Sequence, residues 1–437
     1  MARTGGAPLP TITDDRALGA ADIQRSLRFN DDDNPYLNRT PSGAGNTKTF
    51  TISFWFKMSL IPSSASMNAI GTGANNQNDF MIGFSYDGSR STYFHVLARN
   101  SSSTVVHVST NRKLRDTNAW YHAVISVDTT QSTSSDRVKI YINGSQETSL
   151  SNSTYPSQNT DLRFNSANAH YVGTTRDDQT STGNFDGYMA EVNSIDGTAL
   201  DSSYFGFTDS QTGIWMPKRY EGTYGTNGFY LDFSNNSSTA ALGIDKSPNG
   251  NDFTVNSPIA VTDSMLDTPT NIFCDWNPLS TSNLPDLQEG SLKNMGTNNT
   301  ACNGTFGVTS GKWYWEQYVL TDISSSSYIT TAGVTQYEME NDGDVEPRLA
   351  YTTGRSWYRA GSTGGYINYK NYSQTSSTEE SSGGTFWGGK VVSFRLDMDA
   401  GTLKYYTNNT LVHTDSSIPT DGTRICLLYT SPSPRDS

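Results

Sequence analysis

The stretch Val138-Lys139-Ile140-Tyr141-Ile142-Asn143-Gly144 decides the fold class. Val138, Ile140 and Ile142 point to one side and Lys139 and Tyr141 to the other, the period-two pattern of a half-buried strand, and Asn-Gly is the dipeptide that closes tight hairpins. A second copy of the theme runs from Val391 to Met398 and closes on Asp399-Ala400-Gly401. Helical periodicity is nearly absent. The chain is therefore expected to be all-β, with two antiparallel sandwich units in series, an architecture that points to binding rather than catalysis.

Composition supports this reading. The 437 residues contain 11% aromatics and only 17% charged residues. Each buried ring contributes at most about 4 to 6 kcal/mol, so aromatic burial can support two cores without disulfides. A net charge of −13 with no basic run argues against nucleic acid as a partner. Cys274, Cys302 and Cys426 are odd in number and lack metal-site spacing. No segment reads as a membrane span, and residues 1–22 carry no apolar core of a secretion signal. The many Asn-x-Ser/Thr triplets are the expected by-product of an Asn- and Ser-rich composition.

Residues 1–21 read as an N-terminal arm. Alternation begins at Leu27-Arg28-Phe29 and continues in Phe50, Ile52, Phe54 and Phe56, then in Tyr121, Ala123, Ile125 and Val127. Together with Tyr141-Ile142-Asn143-Gly144 and the late segment Phe185-Asp186-Gly187-Tyr188-Met189-Ala190-Glu191-Val192, this ordered set resembles the laminin-G-like or concanavalin A-like lectin jelly roll over residues 22–207. The resemblance implies two antiparallel sheets, with sugar or protein ligands gripped by loops at one rim.

Residues 208–299 read as a structured β-rich connector, because five aromatics between Tyr220 and Phe233 would be costly to leave in water. The phrases Gly311-Lys312-Trp313-Tyr314-Trp315-Glu316, Trp357-Tyr358 and the hairpin from Val391 to Tyr406 resemble a SPRY domain over residues 300–425. Two departures are visible: Gly389-Lys390 stands where that family has Gly-Asp, and Asn408-Asn409 where it often has Asn-Gly. The whole order resembles tail-fibre or virion-surface proteins of marine bacteriophages. Residues 426–437 resemble a translated sequencing adapter, whose read TGT CTC TTA TAC ACA TCT encodes Cys426 to Ser431. The SPRY-like unit is then expected to be truncated, with an unpaired sheet edge.

Chemistry-bearing residues are sparse. The paired-carboxylate Glu-x-Asp-x-Glu strand of sandwich-fold glucanases is missing, since Glu191 has no acidic residue two or four positions on. Glu316, Glu338, Glu340, Glu379 and Glu380 read as turn-like or solvated. No catalytic residues are assigned, and a glycoside hydrolase is the minority reading. Calcium is the one cofactor considered, since hard cations take clustered oxygens. The candidates are Asp177, Asp178 and Asn184, with Asp186 beyond them, or Asp31, Asp33 and Asn34. Asp and Asn also populate turns by capping their own backbone, and both explanations stand at this level. Trp55, Trp120, Trp313 and Trp315 read as core. Trp357, Tyr358, Tyr366 and Tyr369, with Tyr372, read as an exposed loop cluster suited to ligand recognition, and Asp177 and Asp178 join them as ligand-binding candidates.

The function expected from the sequence is a non-enzymatic adhesin of a virion tail or fibre. Its expected partners are host-surface glycans or glycoproteins, other virion proteins and a homo-oligomeric copy of itself, with no nucleic acid and no membrane insertion. A secreted or cell-surface adhesion protein of a marine microbe is the alternative.

Overall fold

The computed structural model describes residues 20–62, 66–75, 78–86, 88, 92–176, 183–210, 212–277, 287–288, 291–294, 304–319, 329–335, 355–360, 366–370, 373–377 and 389–428. These divide after Ile272 into two compact units. Both are antiparallel β-structures, and among the described residues the only helices are short 3-10 turns.

In the N-terminal unit two eight-stranded sheets face each other. The back sheet runs in the order Ser145–Gln146, Val138–Ile142, Tyr121–Asp128, Thr49–Met58, Gly187–Asp196, Ser26–Phe29 and Ser264–Met265, and Phe229–Leu231 pairs beside Gly187–Asp196. The front sheet runs Leu150–Thr154, Ser103–Leu114, Thr92–Asn100, Asn78–Tyr86, Met67–Asn75, His170–Val172, Leu37–Arg39 and Thr254–Val255. Alternation decides what lies between them: Phe50, Ile52, Phe54 and Phe56 from one sheet meet Phe80, Phe84, Phe94 and Val96 from the other, all without solvent exposure. The Val138–Ile142 strand alternates buried and half-buried positions. Its turn puts Asn143 and Gly144 at φ of 47° and 84°, the left-handed pair that matches strand twist.

The segment expected as a connector behaves differently. Residues 208–272 are folded onto the first sandwich, contributing strands to both of its sheets. They also cover the outer face of the back sheet, where Tyr224 and Tyr230 pack with Val124, Ile195, Leu200 and Phe205. An outer sheet face carrying Val124 and Ile195 cannot stay in water at low cost, so the aromatic residues of this wrap close it.

The C-terminal unit holds a four-stranded sheet, Lys312–Val319, Lys390–Asp397, Thr402–Thr407 and Thr410–Asp415, and a six-stranded one. Trp315, Phe394, Leu396, Leu403 and Tyr405 form its core, with Trp313 packed against it. Asn408 and Asn409 both take positive φ, and Gly389 sits at 74°, so both departures from the family turns still close turns here. The edge expected to be open is partly filled. Ile425–Leu428, which runs into the adapter-like tail, pairs with Gly307–Val308 and Ile329–Thr335, its backbone N–H and C=O groups supplying the ladder partners.

Candidate functional site

The two acidic segments treated as alternatives in the sequence come together at one rim of the first sandwich. Asp31–Asp33 forms a 3-10 turn directly after the strand Ser26–Phe29, and Asn34 ends it in a left-handed conformation. Asn184 and Asp186 lead into the strand that begins at Gly187. Phe29 pairs with Gly187 in the back sheet, so the end of one strand and the start of the other place both segments side by side. Asn184 Nδ2 donates to Asn34 Oδ1 at 2.8 Å.

The carboxyl groups of Asp31 and Asp186 lie near enough to act on each other's protonation. Burial, reinforced by the charge on Asp31, pushes Asp186 up to about 8. Asp31 is raised as well, chiefly by burial and then by Asp32. Two neighbouring carboxylates in a poorly solvated place cannot both be ionised at little cost, which favours a proton or a cation between them. Asn184 Oδ1 and Asn68 Oδ1 are buried without a hydrogen-bond partner, and Asn68 bridges to Asn184. Orphaned amide oxygens beside a strained acidic pair fit a hard cation, which takes oxygen ligands of this mixed kind. Asp31, Asp186, Asn34 and Asn184 would hold it. Among the described residues no group of three or more His, Cys, Asp or Glu forms a metal cluster, so the fit rests on amides as much as on carboxylates. Asp33 is turned to a local role, accepting from Asn30 Nδ2 at 3.0 Å. Asp177 and Asp178 lie outside the described residues.

The aromatic candidates are not in a loop. Trp357 and Tyr358 fall on the strand Arg355–Ala360, and Tyr366 and Tyr369 on its neighbour Tyr366–Lys370, with Trp357 opposite Asn368 and Tyr369 opposite Ser356. The surrounding Gly and Ser made this look like loop; cross-strand backbone pairing overrides that local signal. Tyr372 is outside the described residues.

Trp55 and Trp120 are buried, as read from the sequence, though on the outer face of the back sheet. Trp55 stacks on His122 at 4.8 Å between ring centres, and the Trp215 ring from the wrap lies near-parallel to the imidazole at 6.0 Å, at its edge. Trp120 Nε1 donates to Asp267 Oδ1 at 2.9 Å, and Asp267 also binds Lys57 at 2.7 Å. Lys57 has no solvent exposure.

Glu191 sits at a bulge between Ala190 and Asn193 with φ of 51°. It accepts from the Tyr230 hydroxyl at 2.7 Å, and burial pushes it up to about 7. Its acidic neighbour is Asp232, which comes from the wrap and so was invisible to a search along one strand. Glu316 lies on a strand rather than in a turn, where it accepts from the Tyr314 hydroxyl. Glu338, Glu340, Glu379 and Glu380 lie outside the described residues. Trp215, Tyr230 and Asp267 were missed by sequence reasoning; the aromatic density of the wrap was the one available signal.

A family model described as the concanavalin A-like lectin/glucanases superfamily matches residues 31–202. The N-terminal sandwich has a concanavalin A-like, lectin-type jelly-roll fold. This lectin-type domain takes in Asp31, Asn34, Asn184 and Asp186, whereas the wrap lies beyond the match. Among solved structures, domains LG4-5 of the mouse laminin alpha1 chain are 9% identical, with 96% of this chain and 86% of that one covered and a TM-score of 0.31. A putative carbohydrate binding protein from Bacteroides ovatus is 16% identical, with 54% and 59% covered and a TM-score of 0.35. A pentraxin from Limulus polyphemus is 15% identical, covering 42% and 81%, with a TM-score of 0.32. No curated protein matches the chain.

Proposed function

We propose that this chain is a non-catalytic glycan-binding adhesin whose lectin-type domain engages sugar at the rim built from Asp31, Asn34, Asn184 and Asp186. The observation that carries the reading is the meeting of these two loops through Asn184 and Asn34, with buried amide oxygens left unpartnered beside them. A bound calcium ion would bridge the loops and present open coordination positions to vicinal hydroxyl groups. The side chains around it fix the loop spacing and supply oxygens to the ion.

Glu191 and Asp232 do not make a convincing hydrolytic pair, because Glu191 is engaged by Tyr230 beneath the wrap and Asp232 accepts from the backbone and hydroxyl of Ser234. The two-module order supports a place on a virion tail or fibre facing host glycans; an extracellular adhesion protein of a microbe is the second reading. A glycan array probed with and without chelator tests the core of it. Binding that disappears with chelator and in Asp186→Asn supports the rim. Release of reducing ends from any bound glycan would replace the adhesin with a hydrolase.

A further inference from the structure

In the C-terminal unit the outward side of the four-stranded sheet is unusual for an acidic chain. Along Lys312–Val319 the residues Tyr314, Glu316 and Tyr318 share that side, and register puts Arg395 beside Tyr314 and Lys404 beside Arg395 on the next strand. Tyr314 is 49% exposed, Tyr318 39% and Leu411 49%. These are three of the nine large apolar side chains that the described residues leave exposed, Tyr314 and Tyr318 on one edge strand of the sheet and Leu411 on the other.

The side chains are held in place before any partner arrives. Arg395 lies over the Tyr406 ring at 4.6 Å and against Tyr314 at 6.0 Å. Tyr314 is tied by its hydroxyl to Glu316 Oε2 at 2.7 Å. The acidic groups of this face are occupied: Glu316 by Tyr314, and Asp397 by an ion pair to Lys312. Among the described residues neither Arg395 nor Lys404 has a carboxylate partner. Among the described residues this face thus carries three cations, Lys312, Arg395 and Lys404, against two carboxylates, Glu316 and Asp397, an excess of one positive charge beside fixed tyrosine rings on a chain whose net charge is −13.

We propose that this face binds an acidic polysaccharide. Arg395 would present its planar donors to a sugar carboxylate, the geometry in which arginine outperforms lysine. Tyr314 and Tyr318, roughly 13 Å apart along the strand, would contact successive parts of the polymer. Preorganisation by Glu316 and Tyr406 lowers the ordering cost of binding. Tyrosine rings spaced along one strand of a broad sheet face suit the repeated ring faces of a sugar polymer, and an acidic peptide held by Arg395 is the competing occupant that the polyglutamate arm below tests. The inference rests on the glycan-binding reading above but uses a surface separate from the rim.

Affinity electrophoresis of the full chain through gels holding polygalacturonate, a neutral β-glucan or polyglutamate tests it. Polygalacturonate is expected to retard the protein, more weakly as salt rises, and Arg395→Ala or Tyr314→Ala is expected to weaken binding about tenfold. Both side chains are exposed, and circular dichroism checks that each variant folds. Absence of retardation overturns the proposal. So does retardation that both variants retain, which would leave glycan binding intact but place it elsewhere. Equal retardation by polyglutamate would make the partner an acidic peptide, and equal retardation by the neutral glucan would remove the role of charge. Asp186→Asn is expected to leave polygalacturonate binding unchanged, which separates failure of this face from failure of the rim.

Discussion

The indole N–H of Trp215 donates to Nδ1 of His122 at 3.0 Å. That bond fixes the imidazole tautomer: Nδ1 accepts, so Nε2 carries the proton and donates to Ser53 Oγ at 2.9 Å. Both ring nitrogens are satisfied in a neutral state, and burial drives the His122 pKa down to about 3. A residue 93 positions away, in the wrap, thereby decides the protonation of a strand histidine.

Acid should therefore weaken this unit. The folded pKa of His122 lies below its ordinary 6.5, as do those of His95 and His170, both near 4. Groups buried neutral bind fewer protons than in the unfolded chain, so stability is full above pH 6.5 and falls as pH drops below it. A tenfold loss of proton affinity on folding corresponds to about 1.4 kcal/mol. Melting temperatures measured from pH 7 to pH 4 should fall steadily, and His122→Gln should flatten part of the slope. Nitrogen chemical shifts of His122 should show Nδ1 unprotonated at pH 6.

Glu191 predicts an opposite trend at higher pH. Its folded pKa is raised by burial from 4.5 to about 7. The stability it contributes is present below pH 4.5 and lost as pH rises through 7. Glu191→Gln, which can still meet the Tyr230 hydroxyl, should raise stability at pH 8 by about 1 to 3 kcal/mol while changing little at pH 4.5. Urea titrations at the two pH values read this directly, and an equal effect at both would contradict it.

Lys57 and Asp267 form a buried pair that ties the wrap to the back sheet. Removing one partner strands the other: Lys57→Met is expected to cost about 3 to 5 kcal/mol, whereas Lys57→Met with Asp267→Leu should recover much of that loss. The double-mutant cycle by urea unfolding is the measurement. A double variant no better than the single one would mean that the pair's geometry, rather than its uncompensated charge, dominates.

Gly144 occupies φ of 84°, and a Cβ there would stand 2.4 Å from the Trp215 ring. Gly144→Ala should therefore destabilise the unit by about 2 to 4 kcal/mol through backbone strain and displacement of the indole. Thermal unfolding reads the loss, and a return of Trp215 fluorescence to a solvated spectrum would show its cause.

Calcium should stabilise the lectin-type domain. A ligand held only by the folded state adds RT ln(1 + [L]/Kd), about 2.7 kcal/mol at a hundredfold excess over Kd. The expected result is a rise in melting temperature with millimolar calcium that is reversed by chelator and missing in Asp186→Asn. No rise in the parent chain would remove the metal from the proposed rim.

Much of the fold was legible because strand alternation and turn chemistry are local. Phe50 to Phe56 alternate in sequence and are buried in the structure for the same reason, and Asn143-Gly144 names its own turn. The bulge at Glu191 was not legible, since nothing in a strand pattern marks where one extra residue is inserted. The strands carrying Trp357 and Tyr366 were hidden by Gly- and Ser-rich surroundings. Trp120 and Trp55 read correctly as buried, but their cover could not be named.

By itself the sequence determined the pleated class of this protein, the period of its core and the identity of its turns, because each depends on residues within a few positions of one another. Tertiary structure alone decided that residues 208–272 clothe the first sandwich, that Asp267 meets Lys57 across 210 positions, and that Asn34 and Asn184 stand together across 150. Those meetings are set by sheet register and by the need to cover an apolar outer face. Neither leaves a mark at any single place along the chain.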